Sequence, residues 1–247
     1  MSKGQQSRLE DTGERILPTE QGEISYVFSR HKFAYAYARQ YARAKRVLDV
    51  GCGTGYGCKI LSEVAQSVVG IDYNAEAISF CREHFSGSNI SFMQTDAAKL
   101  SFREEFDLAV SFQVIEHMPD LQLFLKTMAT AVRTGGTILL TTPNVRETIP
   151  ENDVNPFHAN EMNYEQFYTL LLQHFSSFTL LGIGYASSNR LRSFLQRSSL
   201  YRLGKHIHRK NPIKKFANST LQLTKFRVLD SDVSRDAIDL LAICKNK

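Results

Sequence analysis

The segment Val47-Leu48-Asp49-Val50-Gly51-Cys52-Gly53-Thr54-Gly55-Tyr56-Gly57 runs from a hydrophobic strand into a glycine-rich turn and then a helix. Glycine has no Cβ and reaches positive φ without strain, so such a turn lets the backbone approach a ligand closely. The dinucleotide fingerprint G-x-G-x-x-G would need glycine at position 56, where Tyr56 stands. Asp49 ends the strand, where a carboxylate can receive a ligand's ammonium group directly or through water. Both features favour a ligand joining an adenosyl group to an amino acid over a dinucleotide.

Two more acids stand at strand ends farther on. Val68-Val69-Gly70-Ile71 runs into Asp72, with Tyr73 beside it, near the spacing at which an acidic side chain meets ribose hydroxyls. A carboxylate accepts two hydrogen bonds from a vicinal diol. The next strand ends at Gln94-Thr95-Asp96-Ala97, which puts Asp96 where it can accept from an adenine amino group. Singly, each Asp is more often a surface turn residue. Together, after successive strands, they read as one site.

The elements that must position these groups alternate strand and helix. Strands are expected at 46–50, 68–72, 90–94, 107–112 and 137–142, with two more at 178–183 and 237–244. Phe33, Tyr37 and Tyr41 recur every four residues and place three rings on one face of an N-terminal helix spanning residues 20–43. Leu121, Leu125, Met128 and Val132 mark another helix, opened by Pro119 and Asp120 and closed by Gly135 and Gly136. Such alternation implies an α/β fold whose parallel sheet is covered on both faces. At 247 residues and 43% hydrophobic content, one domain over 1–247 is expected, with a helical cap at 12–45 and an insertion lobe at 185–235.

Charge is unevenly spread. Between Gln166 and Val228 there are eleven Lys and Arg and no acidic residue, although the whole chain is only +5. The C-terminal third is a cationic segment on an acidic body, and a polyanionic partner should meet it there. Cys52, Cys58, Cys81 and Cys244 form no CxxC pair and no zinc spacing, so neither a disulfide frame nor a structural metal is indicated. No apolar run approaches the ~18–20 residues of a membrane span, and the polar opening lacks a signal-peptide core. A cytoplasmic location is expected.

The glycine motif, Asp72, Asp96, the run Phe106-Asp107-Leu108-Ala109-Val110-Ser111-Phe112-Gln113-Val114-Ile115-Glu116-His117 and Arg133-Thr134-Gly135-Gly136-Thr137 resemble the ordered motifs of class I S-adenosylmethionine-dependent methyltransferases. The likeness runs from about residue 12 to 144. It implies a Rossmann-like, doubly wound, seven-stranded sheet of order 3-2-1-4-5-7-6 with strand 7 antiparallel and the basic insertion between strands 6 and 7. It also implies S-adenosyl-L-methionine as cofactor. Asp49, Gly51, Cys52, Gly53, Gly55 and Tyr56 would hold its methionine part, Asp72 with Tyr73 the ribose, Asp96 and Ala97 the adenine, and Phe112 with Gln113 the ammonium side. Thr12-Gly13-Glu14-Arg15-Ile16-Leu17-Pro18, His31-Lys32-Phe33, Thr142-Pro143-Asn144, Asn155-Pro156-Phe157-His158 and Glu161 add a similarity to ubiquinone-type O-methyltransferases and to small methyltransferases of surface-glycan biosynthesis. Some ubiquinone-type relatives carry metal-holding acids at the positions of Gln113 and Glu116. Gln113 is an amide here, a poorer hard-cation ligand than a carboxylate, so no required metal is expected.

Methyl transfer from a sulfonium is an in-line displacement, and an alcohol acceptor must also lose its proton. Histidine is the natural base at neutral pH, and His117 and His158 are the two candidates. The bland alternatives are a residue at the start of a helix packed on the cofactor for His117, and a structural hydrogen bond bracing 155–161 for His158. His31 and Tyr26 are candidates for the acceptor pocket or for ordinary core or surface positions. Between 190 and 216, basic residues interleave with Leu191, Phe194, Leu195, Leu200, Tyr201, Leu203 and Ile213, a mixture suited to an anionic membrane surface or to a phosphate-bearing substrate. The expected acceptor is a small molecule or a lipid- or nucleotide-linked sugar, methylated at oxygen. An RNA base is the rival acceptor, disfavoured because Ser-Phe-Gln ends strand four instead of Asn/Asp-Pro-Pro-aromatic, and a non-catalytic cofactor-binding module is the second rival. The oligomeric state is not written in the sequence.

Overall fold

A computed structural model describes residues 26–85, 87–145, 157–185, 226–230 and 237–247. The segments 12–18 and 190–216, together with Asn155 and Pro156, lie outside the described residues. Within them an eight-stranded sheet has the order β3-β2-β1-β4-β5-β8-β6-β7. Its strands are β1 (Arg46–Val50), β2 (Ser67–Asp72), β3 (Ile90–Gln94), β4 (Phe106–Phe112), β5 (Val132–Pro143), β6 (Ser177–Tyr185), β7 (Phe226–Leu229) and β8 (Asp239–Lys245). The first five pair in parallel, whereas β8 pairs antiparallel with both β5 and β6.

The expected order therefore holds through seven strands, with the last strand antiparallel between the fifth and sixth. The strand count differs. β7 adds an eighth strand, antiparallel to β6, inside the stretch expected to be an insertion lobe. Phe226 and Val228 alternate with Arg227 there, too short a run to stand out from the basic residues around it.

Helices cover both faces, as a parallel sheet requires. One face is packed by α1 (Tyr26–Ala42), α2 (Tyr56–Ser62) and α3 (Ala75–His84), the other by α4 (Leu121–Ala131) and α5 (Tyr164–His174). Each end is built by local chemistry. Asn74 caps α3 by accepting from Ala77 N, Asp120 caps α4 from Leu123 N, and Asn163 forms a capping box with Gln166 on α5. The expected helix through Val132 stops at Ala131, because Val132 opens β5 opposite Phe106 and Arg133 pairs with Asp107 at 2.7 Å.

On α1 the buried stripe is Ala34, Tyr35, Ala38 and Ala42, each at most 4% exposed, while Phe33, Tyr37 and Tyr41 are only half-buried. The alanines let α1 approach α2 so closely that a Cβ on Gly57 would fall 2.0 Å from the Tyr35 ring. Ring spacing found the helix, and small residues decide which side faces in.

Candidate active site

Gly51, Gly53 and Gly55 follow β1, all at positive φ. A Cβ on Gly51 would strike Val114 at 2.4 Å, whereas one on Gly53 would meet nothing within 4 Å, so Gly53 presents bare backbone to open space. The Gly51 and Cys52 amides both donate to Ile71 O at 2.9 Å, which folds the turn back over the end of β2. There Asp72 completes the loop, its Oδ2 accepting from Gly53 N at 3.0 Å and its Oδ1 from Asn74 N at 2.9 Å. Each carboxylate oxygen has a second lone pair, so the acid that shapes the turn can also receive two hydroxyls.

The turn forms one wall of a cavity of about 450 Å³. Gly51, Cys52, Gly53 and Tyr56 line it from the loop, Asp72 and Tyr73 from β2, and Phe112, Gln113 and His117 from the end of β4. Of the other expected cofactor residues, Asp49 and Gly55 lie outside the lining. Asp49 is wholly buried, its Oδ1 accepting from the Tyr35 hydroxyl and its Oδ2 from the Cys58 thiol, both at 3.1 Å. It braces the loop from beneath. Asp96 and Ala97 are also outside the lining, because the Asp96 carboxylate caps the short turn Ala97–Lys99 by accepting from Ala98 N and pairs with Lys99 at 3.6 Å.

Sequence reasoning missed Tyr35, Thr54, Val114, Met118 and Phe157 in this lining, and left His31 open. Tyr35 packs edge-on against Phe112 at 4.8 Å and Tyr56 at 5.6 Å. Its signal was present as the one aromatic on the alanine stripe of α1. Gln113 has φ 58°, a left-handed backbone rare outside glycine, and is held by Arg30 Nη2, which donates to its Oε1 at 3.1 Å, and by Thr141. Arg30 also pairs with the buried Asp239 of β8 at 3.0 Å, tying α1 to the far half of the sheet.

Burial pushes Asp49 up to about 7, against hydrogen bonds from Cys58 and Tyr35, and pushes Asp239 up to about 6, against the charge of Arg30. Both folded values exceed the ordinary Asp value of about 3.9, so between about pH 4 and 7 the folded chain holds more protons than the unfolded one. Stability of the cofactor-free protein is expected to fall across that interval and level off above it. Asp49→Asn should flatten the fall by its share, measured by urea unfolding at stepped pH; identical profiles for the two proteins would contradict the assignment.

The other end of the cavity is made by two loops. Ile115–His117 forms a single 3₁₀ turn after β4, so His117 closes a turn instead of starting the helix expected there. Asn160 docks 157–161 onto that turn, its amide donating to Glu116 O at 2.9 Å and its side chain to Met118 O. The docking brings the His158 ring within 4.9 Å of His117, edge to face. His117 Nδ1 bonds Phe157 O at 2.8 Å, and His158 Nδ1 bonds Glu161 Oε1 at 2.8 Å. Glu116 lies beneath, 1% exposed, its Oε2 without a hydrogen-bond partner and its carboxyl pushed up to about 8 by burial.

A family profile described as a methyltransferase domain matches residues 42–197. The chain belongs to the methyltransferase-domain family. It is 35% identical over 164 residues to a probable S-adenosylmethionine-dependent methyltransferase of Mycobacterium tuberculosis, covering 65% of this chain and 59% of that protein. It is 34% identical over 101 residues to a ubiquinone biosynthesis O-methyltransferase of Bradyrhizobium diazoefficiens, 40% of each chain. The chain thus spans about three fifths of the first of these relatives and less of the second. Among solved structures, the YcgJ protein of Bacillus subtilis superposes with a TM-score of 0.58 at 18% identity, covering 88% of this chain and all of that one, which shows the shared fold.

S-adenosylmethionine is the cofactor of this methyltransferase family, and the residues present fit it. Gly53 leaves room for close approach, Asp72 faces the cavity with acceptor capacity for a diol, and Phe112 and Tyr56 supply apolar wall. Among the described residues no helix is long and apolar enough to cross a membrane.

Proposed function

We propose that this methyltransferase moves the methyl group of S-adenosylmethionine to a hydroxyl oxygen of a small-molecule or lipid- or nucleotide-linked sugar acceptor. The observation that carries the reading is the corner of His117, His158 and Glu116 opening on the same cavity as the glycine turn and Asp72. Bound S-adenosylmethionine supplies a methyl carbon already activated by a sulfonium. The glycine turn and Asp72 hold one end of the site, and the corner receives the acceptor at the other. Holding two reactants in line in this way is worth about 7–11 kcal/mol of barrier.

Oxygen is favoured over nitrogen because the corner suits an acceptor that must shed a proton, and His117 and His158 are the catalytic residues we assign to that step. Similarity to proteins named ubiquinone biosynthesis O-methyltransferase and fatty-acid O-methyltransferase supports the same choice. The excess of basic residues between Gln166 and Val228 suits a phosphate-bearing acceptor or an anionic membrane surface.

A transfer screen with labelled cofactor and separate pools of sugar nucleotides, lipid-linked glycans, quinol precursors, fatty acids and tRNA tests the reading. Release of S-adenosylhomocysteine with a sugar pool is the expected result. Transfer confined to tRNA, or no transfer to any pool by protein that binds the cofactor, would overturn it.

A further inference from the structure

The corner also has the composition and spacing of a cation site. One ligand atom from each of Glu116, His117 and His158 lies within 4.8 Å of the others. Donors held 2.0–2.2 Å from a shared ion are at most about 4.4 Å apart, so a few tenths of an ångström of closure would seat one. Glu116 is buried with its Oε2 unpartnered, an expensive arrangement for a carboxyl oxygen unless something positive meets it.

The surroundings orient the ring ligands. A carbonyl can only accept, so His117 Nδ1 carries its proton toward Phe157 O, which leaves the ring's lone pair on Nε2. Glu161 fixes His158 the same way through Nδ1. A ligating histidine whose other nitrogen is held by a carboxylate or a backbone carbonyl is the usual outer support of a metal site. Gln113 takes no part, being committed to Arg30 and Thr141. The third donor comes from His158, forty-one residues beyond His117 and delivered by Asn160, which is why the sequence around Gln113 pointed away from a metal.

We propose that Glu116, His117 and His158 form a divalent-cation site of two imidazoles and one carboxylate, with its open positions facing the acceptor end of the cavity. Such a donor set prefers zinc, cobalt, nickel or ferrous ion over magnesium or calcium. The proposal deepens the O-methylation reading and rests on it: an acceptor hydroxyl entering an open position gives its proton to solvent as the oxygen binds the cation. That oxygen then bonds the methyl carbon as the carbon–sulfur bond breaks, its electron pair leaving sulfur neutral.

The test is titration of chelator-stripped protein with Zn²⁺ by calorimetry and with Co²⁺ by visible absorption, alongside S-adenosylhomocysteine titration of the same sample. One equivalent of metal is expected, with cobalt bands of nitrogen ligation. Affinity should fall about 10- to 100-fold in Glu161→Gln, and stoichiometric binding should be lost in His158→Ala and Glu116→Gln. His84→Ala on α3 should bind as the parent does. Circular dichroism and S-adenosylhomocysteine affinity report whether each variant is folded. Metal-free protein that still binds S-adenosylhomocysteine but takes up no stoichiometric metal, or metal binding untouched by all three corner variants, would overturn the site while leaving the methyltransferase reading standing. Failure to bind S-adenosylhomocysteine would instead strike the methyltransferase reading itself, and this inference with it.

Discussion

Asp72→Ala is expected to weaken binding of S-adenosylmethionine and S-adenosylhomocysteine by about 10²- to 10⁴-fold. The substitution removes two hydrogen bonds to a charged acceptor, each worth roughly 1.5–3 kcal/mol, and about 1.4 kcal/mol is a factor of ten. It also releases Gly53 N and Asn74 N, the two amides that fix the turn against the end of β2. Asp72→Asn keeps one acceptor oxygen and should lose less. Calorimetry with both compounds measures the effect. An affinity within threefold of the parent in folded Asp72→Ala protein would remove the ribose contact and with it the orientation of the cofactor in the cavity.

The second large effect falls at the opposite end. His158→Ala should lower kcat by about 10²- to 10⁴-fold, the range for loss of a group that manages a proton in the transition state, while cofactor affinity changes little. The separation follows from position: His158 stands against His117 and Glu161, away from the glycine turn. Glu161→Gln keeps the ring and weakens only its orientation, so a loss of about tenfold in kcat is expected. Once the transfer screen has supplied an acceptor, steady-state kinetics with direct cofactor binding distinguishes the outcomes. An unchanged kcat in His158→Ala, or a loss explained wholly by cofactor affinity, would take the acceptor away from this corner.

Much of the cofactor end was legible because it is local. A strand, a turn and the next strand's terminal acid follow one another closely, and parallel pairing of β1 with β2 brings residues 51–53 to Asp72 with no contribution from distant chain. Asp49 was legible as a conserved-looking type of strand-end acid in a functional turn, yet its place beneath the turn depends on Tyr35 arriving from α1. Asp96 shared the strand-end pattern of Asp72, but its carboxylate is turned onto its own short 3₁₀ turn, a choice made by local capping that spacing alone does not reveal. The eighth strand was hidden because four residues give too short an alternation to read.

The sequence by itself determined the α/β order, the antiparallel last strand and the glycine turn with its acid, since each rests on period, spacing or the conformational range of one residue type. Only the tertiary structure decided which side of α1 faces inward, that Glu116 is buried, and that His158 meets His117. Those facts depend on contacts between segments tens of residues apart, such as Asn160 on the turn at 115–118 and Arg30 on Asp239. No periodicity records them, because they are set by which surfaces remain to be covered once the sheet has closed.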